Sequence, residues 1–426
     1  MAQYSLIILN PGHFHAALTL RECNALIEDD VHVFAEDGPD LEDFLQRVHG
    51  FNDRAQQPTR WTLYVHRGAD FLEKLVATQA PGAIVVVAGR NDVKMAQIHH
   101  LHARGFHVLG DKPWLTGAGG LGLLREAVAG PPLAMDIITE RHEVANRLLR
   151  VLVRNAAVFG EFRREGGAPA VALRSVHHLG KTVGGRPLRR PAWYFDTGVQ
   201  GEGIVDVTTH LVDLAQWFLE DGMPFACNRD VEGLSARQWP IDVPLEAFTR
   251  ITGEADFPER LRGNVSGGML RYLCNAALSF RLRGVPVEIE SSWALEQPPG
   301  GGDLYHAVLR GTLAELEVAQ EPQSGFRTEL AIRPAQDGRA FESALAAAVA
   351  ELQRDFPGLG LERTDDGFRA RIPPPLRSTH EQHFAAVLDG FLRCVDAGGW
   401  PARIGADLDF RYSLLARARE VSRAAR

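Results

Sequence analysis

The stretch YSLIILNPGHFHAA, from Tyr4 to Ala17, is an apolar run that stops at a short turn and then passes into a helical pattern. Further apolar runs begin near positions 31, 61, 83, 106 and 133, and helical patterns separate them. Strands that alternate with helices in this way form a parallel sheet with helices on both faces. The sequence therefore predicts an α/β fold that starts with a Rossmann-type domain over residues 1–138.

The second half of the chain has a different pattern. A helical pattern runs from Glu140 to about Val158, and long strand-like segments joined by short Gly/Pro turns follow it. Consecutive strands without intervening helices form antiparallel sheets. Residues 139–426 are therefore predicted to form an α+β domain with a large, mainly antiparallel open sheet. Helical patterns return in a C-terminal extension, at residues 339–355, 379–397 and 405–425.

Composition and charge exclude several classes of protein. The chain has 426 residues, of which 45% are hydrophobic and 23% are charged, as in ordinary soluble globular proteins. Its net charge of -8 and its scattered arginines provide no basic patch for nucleic acid. No apolar run reaches the roughly 18 residues of a membrane span, and the N-terminus lacks the features of a secretory signal. We therefore expect a cytoplasmic protein without nucleic-acid or membrane partners.

The cysteines and histidines form no recognisable metal-site pattern. The four cysteines lie far apart without a C-x-x-C pair, which favours a reducing compartment. The three histidines within 99–102 do not share one face of a helix, and His380 with His383 lacks a third ligand in a known pattern. The sequence thus predicts no metal, and we interpret His380 as part of a helix start capped by Ser378 or Thr379.

After the first strand, residues 10–17 read N-P-G-H-F-H-A-A, where a dinucleotide-binding domain carries G-x-G-x-x-G. Only the middle glycine is present, as Gly12, which would let the backbone approach a pyrophosphate. The amides of the helix that begins near His13 and Phe14 would point toward the negative charge. The competing interpretation is a tight strand-to-helix turn without a ligand.

Two further strand ends carry candidate cofactor contacts. Glu36 follows the second strand, 24 residues after Gly12, where an acid accepts hydrogen bonds from the adenosine ribose and repels a 2′-phosphate. This favours NAD over NADP, although Glu36 and Asp37 also suit the polar start of a loop. After the fourth strand, Ala88 is a small residue at the predicted switch point. Asn91 is predicted to cap the next helix or, alternatively, to contact the cofactor.

The segment GEGIVDVTTHLVDLAQWF, residues 201–218, is predicted to be a buried helix. At 100° per residue, Asp206, His210 and Asp213 fall within about 60° of one another, and apolar side chains cover most of the remaining circumference. Ionisable groups on a buried helix are costly unless they are paired or used in chemistry. The stripe is therefore either a functional site or a satisfied buried network.

The fifth strand runs into L-G-D-K-P-W, residues 109–114. Lys112 would lie at the carboxyl end of a parallel strand, in the crevice where such sheets bind ligands, and Pro113 stiffens the backbone beside it. By itself D-K-P is ordinarily a surface turn. Its meaning here depends on the helix predicted at 201–218.

Together, D-K-P at 111–113 and G-x-x-D-x-x-x-H-x-x-D at 203–213 resemble the motifs of the glucose–fructose oxidoreductase and inositol dehydrogenase (Gfo/Idh/MocA) family, and the order of the two domains agrees. The chain is most similar to a branch with a P-G-H-F-H-A-A loop and its own oxidoreductase C-terminal domain. The resemblance implies an NAD(P)-binding first domain and a catalytic set of Lys112, Asp206 and His210, with the lysine also binding cofactor. It also implies packing against a second subunit, as a homodimer or homotetramer.

The chemistry implied by this family agrees with the residue types. Oxidation of a sugar or cyclitol hydroxyl requires removal of the O–H proton while a hydride leaves the same carbon for nicotinamide. His210 suits the role of base, Lys112 would donate a hydrogen bond to the substrate oxygen, and Asp206 would hold substrate hydroxyls or orient the base. Family members exchange the lysine and histidine roles, so the base is either Lys112 or His210.

Other polar and aromatic residues precede the 201–218 segment. His178 and Lys181 lie at a predicted strand end, and Trp193 and Tyr194 lie in the loop that leads to the helix. We predict that these residues line the substrate pocket, with an aromatic ring stacking on a sugar. The alternative is a surface loop with aromatic anchors.

The sequence is thus interpreted as an NAD-dependent oxidoreductase acting on a hydroxyl of a carbohydrate or cyclitol, or on the corresponding ketone. Two alternatives remain. One is a glycoside-cleaving enzyme that retains NAD and uses transient oxidation, and the other is a sugar-sensing protein that has kept the fold without turnover.

Overall fold

The computed structural model describes residues 4–183, 185–298, 300–336, 338–398 and 403–425. The chain begins with a six-stranded parallel sheet of order β3-β2-β1-β4-β5-β6. Its strands are β1 (Tyr4–Leu9), β2 (Ile27–Ala35), β3 (Thr62–Arg67), β4 (Ile84–Val87), β5 (His107–Asp111) and β6 (Ala134–Ile137). The helices between them are α1 (His15–Leu18), α2 (Pro39–Asp53), α3 (Phe71–Thr78), α4 (Asn91–His102) and α5 (Leu121–Ala127).

The centre of this sheet is formed by apolar strands that are buried on both faces. All four side chains of β4 are buried, as are the last four of β1. β1 pairs with β2 on one side and with β4 on the other. The strand order therefore reverses between β1 and β4. Parallel sheets bind ligands at the carboxyl ends of the strands beside such a point. The predicted Rossmann-type sheet is confirmed.

The remainder of the chain builds a ten-stranded sheet of order β10-β12-β13-β7-β14-β15-β16-β18-β17, in which β11 pairs with β12. The β7–β13 pair is parallel and the other described pairs are antiparallel. Its strands are β7 (Val171–Gly180), β10 (Val231–Pro244), β11 (Val265–Ser266), β12 (Met269–Leu282), β13 (Val285–Glu296), β14 (Leu304–Arg310), β15 (Ala314–Gln320), β16 (Thr328–Pro334), β17 (Gly360–Thr364) and β18 (Gly367–Arg371). A separate pair consists of β8 (Thr182–Val183) and β9 (Arg186–Pro187). This confirms the large, mainly antiparallel sheet.

Seven helices accompany the large sheet within the described ranges. They are α6 (Val144–Leu152), α7 (Thr208–Leu219), α8 (Cys227–Asp230), α9 (Leu245–Thr252), α10 (Arg339–Leu352), α11 (His380–Asp396) and α12 (Arg403–Ala424). None of the described helices combines the length and the apolar character needed to cross a lipid bilayer.

The last two helices return to the first domain. In α11, Phe384 packs on His15 with ring centroids 4.5 Å apart. In α12, Asp409 accepts a 2.8 Å hydrogen bond from Arg125 of α5. One apolar cluster is continuous from the first sheet through α7 to the large sheet and α12. The C-terminal extension therefore joins the two halves of the molecule.

Two predicted helices are shorter in the structure. The pattern from Glu140 to Val158 forms a 3₁₀ turn at Glu140–His142 and then α6, which ends at Leu152. Residue Glu143 interrupts the pattern with an extended backbone, and its carboxylate accepts a hydrogen bond from the Ala145 amide as an N-cap. The segment predicted as a helix from residue 201 becomes helical only at Thr208.

Candidate active site

A cavity of about 540 Å³ lies between the carboxyl ends of the first sheet and the large sheet. Lys112 follows β5, His210 lies in the first turn of α7, and Tyr305 lies on β14, and all three side chains line the cavity. The two halves of the chain thus enclose a space of the size that small-molecule sites have. Its polar groups form two clusters, one at each end.

The first cluster is built around an ion pair between the two halves of the chain. Lys112 Nζ donates to Asp206 Oδ1 at 2.9 Å, and the hydroxyl of Tyr194 donates to Asp206 Oδ2 at 3.4 Å. Asp206 is only 2% exposed. Burial alone would raise the pKa of its carboxyl, but the Lys112 ammonium holds it below its usual range. The resemblance to the family placed Lys112 and Asp206 together, and the structure brings them into direct contact.

Asp206 does not lie on the helix, contrary to the sequence prediction. Residues 203–207 form turns, because Gly203 packs directly against the backbone of β12: a Cβ there would lie 2.4 Å from the Cys274 carbonyl oxygen. The Gly203 amide also donates to the Leu273 carbonyl at 3.0 Å. The stripe of three ionisable groups on one helix is therefore wrong. Asp206 reaches the cavity from a turn that the large sheet holds in place.

His210 faces the cavity from α7, and its Nδ1 has no hydrogen-bond partner among the described residues. Burial, followed by the nearby Lys112 charge, lowers the pKa of His210 well below its usual value. The imidazole is therefore neutral at neutral pH and can accept a proton. Asp213, one turn further on, points away and pairs with Arg141 at 2.6 Å and with Arg411. For Asp213, the interpretation as a satisfied buried network is the right one.

The loop after β1 is closed in this structure. The amides of Gly12 and His13 both donate to the Ala88 carbonyl, at 3.2 and 2.9 Å, and so do not point toward an anion as predicted. This correction has a geometric cause, because the β1 and β4 ends approach so closely that a Cβ on Gly89 would lie 2.5 Å from the Asn10 carbonyl oxygen. Phe14 only precedes the four-residue helix α1 and makes no side-chain cap.

Trp193 covers this loop. Its indole Nε1 donates to Asp40 Oδ2 at 3.0 Å, and its ring edge lies 3.1 Å from where a Cβ on Gly12 would be. Trp193 is only 7% exposed. The ring thus forms part of the cavity wall over the loop. Tyr194, whose ring lies 4.4 Å from the Arg190 guanidinium carbon, lines the cavity beside Asp206.

Of the other predicted cofactor residues, Asn91 lines the cavity, whereas Glu36, Ala88 and Pro113 do not. Glu36 is exposed, and its carboxylate has no hydrogen-bond partner among the described side chains. Asn91 does not cap α4; it is the first helical residue, and its Nδ2 donates to the Gln200 carbonyl at 2.7 Å. Its Oδ1 accepts from the fully buried Lys94. Ala88 is fully buried, and Pro113 accepts a 3.4 Å hydrogen bond from Lys94 at its carbonyl.

His13 and His15 share one carboxylate that sequence reasoning did not single out. Nδ1 of His13 lies 3.0 Å from Asp111 Oδ2, and Nδ1 of His15 lies 3.0 Å from Asp111 Oδ1. Burial lowers the pKa of both imidazoles. Burial would raise the pKa of Asp111, but the two histidines hold it well below its usual range. The alternation H-x-H before a helix was the available signal.

The second cluster, at the far end of the cavity, centres on Asp303. Its carboxylate lies 3.1 Å from Nδ1 of His177 and of His178, and it accepts from Lys181 Nζ at 2.7 Å. Burial would raise the pKa of Asp303, but Lys181 and His177 hold it well below its usual range. Lys181 lines the cavity as predicted, whereas His178 is buried behind it and His177 lines it instead.

Glu140 and His380 complete the far end. The Glu140 carboxyl lines the cavity 3.8 Å from His380 Nδ1. Burial and then the Glu143 carboxylate raise the pKa of Glu140 to about 7. The helix start at His380 has the predicted cap, since Thr379 and Gln382 form a capping box. The sequence did not indicate that this helix end reaches the cavity.

The family described as "Putative oxidoreductase C terminal domain" matches residues 148–423, about two thirds of the chain. The chain belongs to this oxidoreductase family. The expectation of an oxidoreductase and the resemblance to a branch with its own oxidoreductase C-terminal domain are thereby confirmed. No curated protein matches the sequence.

Solved structures agree with this assignment. A "putative oxidoreductase" from Parabacteroides merdae is 34% identical and superposes with a TM-score of 0.94, covering 100% of this chain and 98% of that one. Levoglucosan dehydrogenase in complex with NADH and levoglucosan is 14% identical, with a TM-score of 0.60 over 99% of this chain and 98% of that one. KijD10, a 3-ketoreductase from Actinomadura kijaniata in complex with NADP and TDP-benzene, is 13% identical, with a TM-score of 0.58 over 98% and 97%. At the two lower identities the likeness concerns the fold.

Proposed function

We propose that this member of the oxidoreductase family is an NAD-dependent enzyme that oxidises a hydroxyl of a carbohydrate or cyclitol, or reduces the corresponding ketone. The observation that carries the proposal is the convergence of Lys112, Asp206 and His210 in one cavity beside the β1–β4 switch point. Proton-transfer groups and a positioned cation are what hydride transfer from a hydroxyl-bearing carbon requires.

The residues beside the cavity fit NAD at both ends of the cofactor. Glu36 offers a carboxylate without a partner among the described side chains at the end of β2, which suits a ribose and opposes the 2′-phosphate of NADP. Lys112 lies at the opposite end, inside the cavity. Between them Trp193 and Asp40 cover Gly12, so their contact must open for the diphosphate to approach the loop. The NADH and NADP complexes of levoglucosan dehydrogenase and KijD10 support a dinucleotide on this fold.

Bound nicotinamide would supply the hydride acceptor. The chain's own residues would handle the proton and the orientation. Neutral His210, with Nδ1 free of a described partner, can take the hydroxyl proton. Lys112 would donate to the substrate oxygen and stabilise negative charge that develops there, and Asp206 holds the ammonium in place. Lys112 as the base, with His210 as the donor, is the alternative assignment.

The far end of the cavity would bind the rest of the substrate. Lys181 and Asp303 offer a donor and an acceptor that suit a polyhydroxylated ligand, and Tyr194 lines the cavity beside Asp206 at the other end. The charged groups there hold one another in place, because Asp303 fixes Lys181 and His177.

We place the enzyme in the cytoplasm as a homodimer or homotetramer, without nucleic-acid or membrane partners.

The test begins with NADH and NADPH titrations of the purified chain, with tryptophan excitation and nicotinamide emission, after denatured protein has been checked for retained cofactor. A screen of sugars and cyclitols with NAD follows. Lys112→Ala and His210→Ala are each expected to lower kcat at least about 100-fold. The matched controls, Lys74→Ala and His99→Ala, alter half-buried residues that pair with Asp70 and Glu126 and do not line the cavity, and they should leave turnover unchanged. Failure of both nucleotides to bind would reject the proposal in favour of the sugar sensor.

Glu140 favours glycoside cleavage with retained NAD as a second candidate. A carboxyl with a pKa of about 7 in the cavity is protonated near neutrality, as a leaving-group acid must be. This candidate predicts release of the aglycone without net NADH, falling as the pH rises through about 7 and lost in Glu140→Gln. Net NADH production with full activity of Glu140→Gln would exclude it.

A further inference from the structure

Three side chains from two separate strand ends converge next to Lys112. His13 lies in the turn after β1, His15 is the first residue of α1, and Asp111 is the last residue of β5. Their ligand atoms lie within 4.8 Å of one another. Each carboxylate oxygen of Asp111 lies 3.0 Å from the Nδ1 of one imidazole.

The Asp111 carboxylate contacts two histidines but no lysine or arginine among the described residues. The carboxylate is 2% exposed, and within the described part of the chain no lysine or arginine nitrogen lies within 4.0 Å of it. The nearest lysines are engaged elsewhere: Lys112 donates to Asp206, and Lys94 donates to Asn91 and to a backbone carbonyl. A buried carboxylate is costly without a compensating cation.

The Asp303 cluster is an internal comparison. It has the same composition, one carboxylate held by the Nδ1 atoms of two histidines. There a resident cation is present, because Lys181 Nζ lies 2.7 Å from the carboxylate. The two clusters therefore differ in one group. Asp303 has the ammonium group of Lys181 beside it, whereas Asp111 has no lysine or arginine side chain in the corresponding place among the described residues.

The arrangement is of the kind that binds transition metals. Two imidazoles and one carboxylate are a common ligand set for such ions. Each imidazole Nδ1 lies 3.0 Å from a carboxylate oxygen of Asp111, close to the separation of two ligands bonded at about 2.0–2.2 Å to one ion. All three residues line the cavity, so a further coordination position would face it. Sites with three protein ligands and an open position are typical of catalytic rather than structural metals.

We propose that His13, His15 and Asp111 bind one divalent transition-metal ion of the zinc class, with an open coordination position toward the cavity. The ion supplies the positive charge that no described lysine or arginine provides next to Asp111, and it fixes the loop after β1 to the end of β5. In the cavity it offers a binding position for an oxygen atom of a ligand. The proposal depends on no step of the hydride-transfer reaction, and it holds whether or not NAD binds.

The experiment uses the full chain without an affinity tag, purified without chelator or metal resin. Elemental analysis is expected to find about one metal ion per chain. After chelator treatment, Co²⁺ titration should produce saturable visible absorption at one ion per chain, and Zn²⁺ should raise the thermal unfolding midpoint by several degrees. His15→Ala and Asp111→Asn should abolish both signals.

Asp303→Asn, in the matched cluster, should leave the cobalt titration unchanged. The proposal is overturned if the wild-type chain shows neither bound metal nor a saturable cobalt signal, or if His15→Ala takes up cobalt as the wild type does. Circular dichroism distinguishes a folded variant from an unfolded one. The wild-type titration and the Zn²⁺-dependent midpoint decide the question even if a variant fails to fold.

Discussion

Replacement of Arg411 by methionine should destabilise the protein severely although the residue does not line the cavity. The Arg411 guanidinium on α12 pairs with Asp136 of β6 and with Asp213 of α7, and its side chain is 4% exposed. Tyr412 adds a 3.2 Å hydrogen bond to Asp136. Arginine at this position therefore links the C-terminal helix to both halves of the chain.

The expected loss follows from which charges remain buried. Asp213 keeps its bidentate pair with Arg141, but Asp136 keeps only the neutral Tyr412 hydroxyl. Removal of one partner of a buried ion pair costs about 3–5 kcal/mol, because the other charge stays buried without compensation. Methionine retains the apolar stem, so lost packing adds little. We expect the free energy of unfolding to fall by about 3 kcal/mol.

The assay is urea unfolding followed by tryptophan fluorescence. Arg125→Met is the control, because it removes an exposed ion pair between α5 and Asp409, which lies on α12 like Arg411. This change should cost at most about 1 kcal/mol. Addition of Asp136→Asn to Arg411→Met should recover part of the loss, because the remaining group is then uncharged. A loss in Arg411→Met no larger than in the control would refute the reasoning.

Four other outcomes are expected. Glu36→Gln should weaken the binding of NADH about tenfold and that of NADPH less, because a hydrogen bond to a charged group contributes about 1.5–3 kcal/mol. Equal weakening of the two in fluorescence titrations would count against a ribose contact. Asp40→Asn should tighten NADH several-fold, since the amide oxygen can still accept from Trp193 without repelling phosphate, and unchanged or weaker binding would contradict this. The free energy of unfolding should fall as the pH drops from about 6.5 toward 4, by up to about 3 kcal/mol from His383 alone. Burial lowers the pKa of His383 in the folded protein to about 4, whereas in the unfolded chain this side chain binds its proton at a higher pH. His383→Gln should flatten this pH dependence in urea titrations, and an unchanged slope would exclude the residue as a cause. Light scattering should find two or more chains per particle, and a single-chain mass would reject the oligomer.

Local sequence patterns were sufficient for the elements of the first sheet. Each apolar run falls within one strand and is bounded by its own turn, so the pattern needs no distant partner to be recognised. The same holds for the long strands β12 and β13 and for the capped start of α11. Motif spacing also indicated Lys112, Asp206 and His210, because family resemblance preserves residue type and order.

Periodicity alone misplaced Asp206 and Asp213. The apolar residues Ile204, Val205 and Val207 are buried in turns as deeply as they would be in a helix, so hydrophobicity does not distinguish a turn from a helix. The contact that keeps the helix from starting before Thr208 is the approach of Gly203 to β12, about 70 residues away along the chain. Asp213 became a structural residue because Arg411, almost 200 residues later, lies over it.

By itself the sequence determined the two sheet types, their order along the chain and the residue types of the site. Only the tertiary structure decided which charges meet: Lys112 with Asp206, Asp303 with Lys181, and Asp111 with two histidines and no cation. The physical reason is range. Strand and helix formation depend on neighbours within a few residues, whereas the state of a buried charge depends on what long-range packing places within about 4 Å of it.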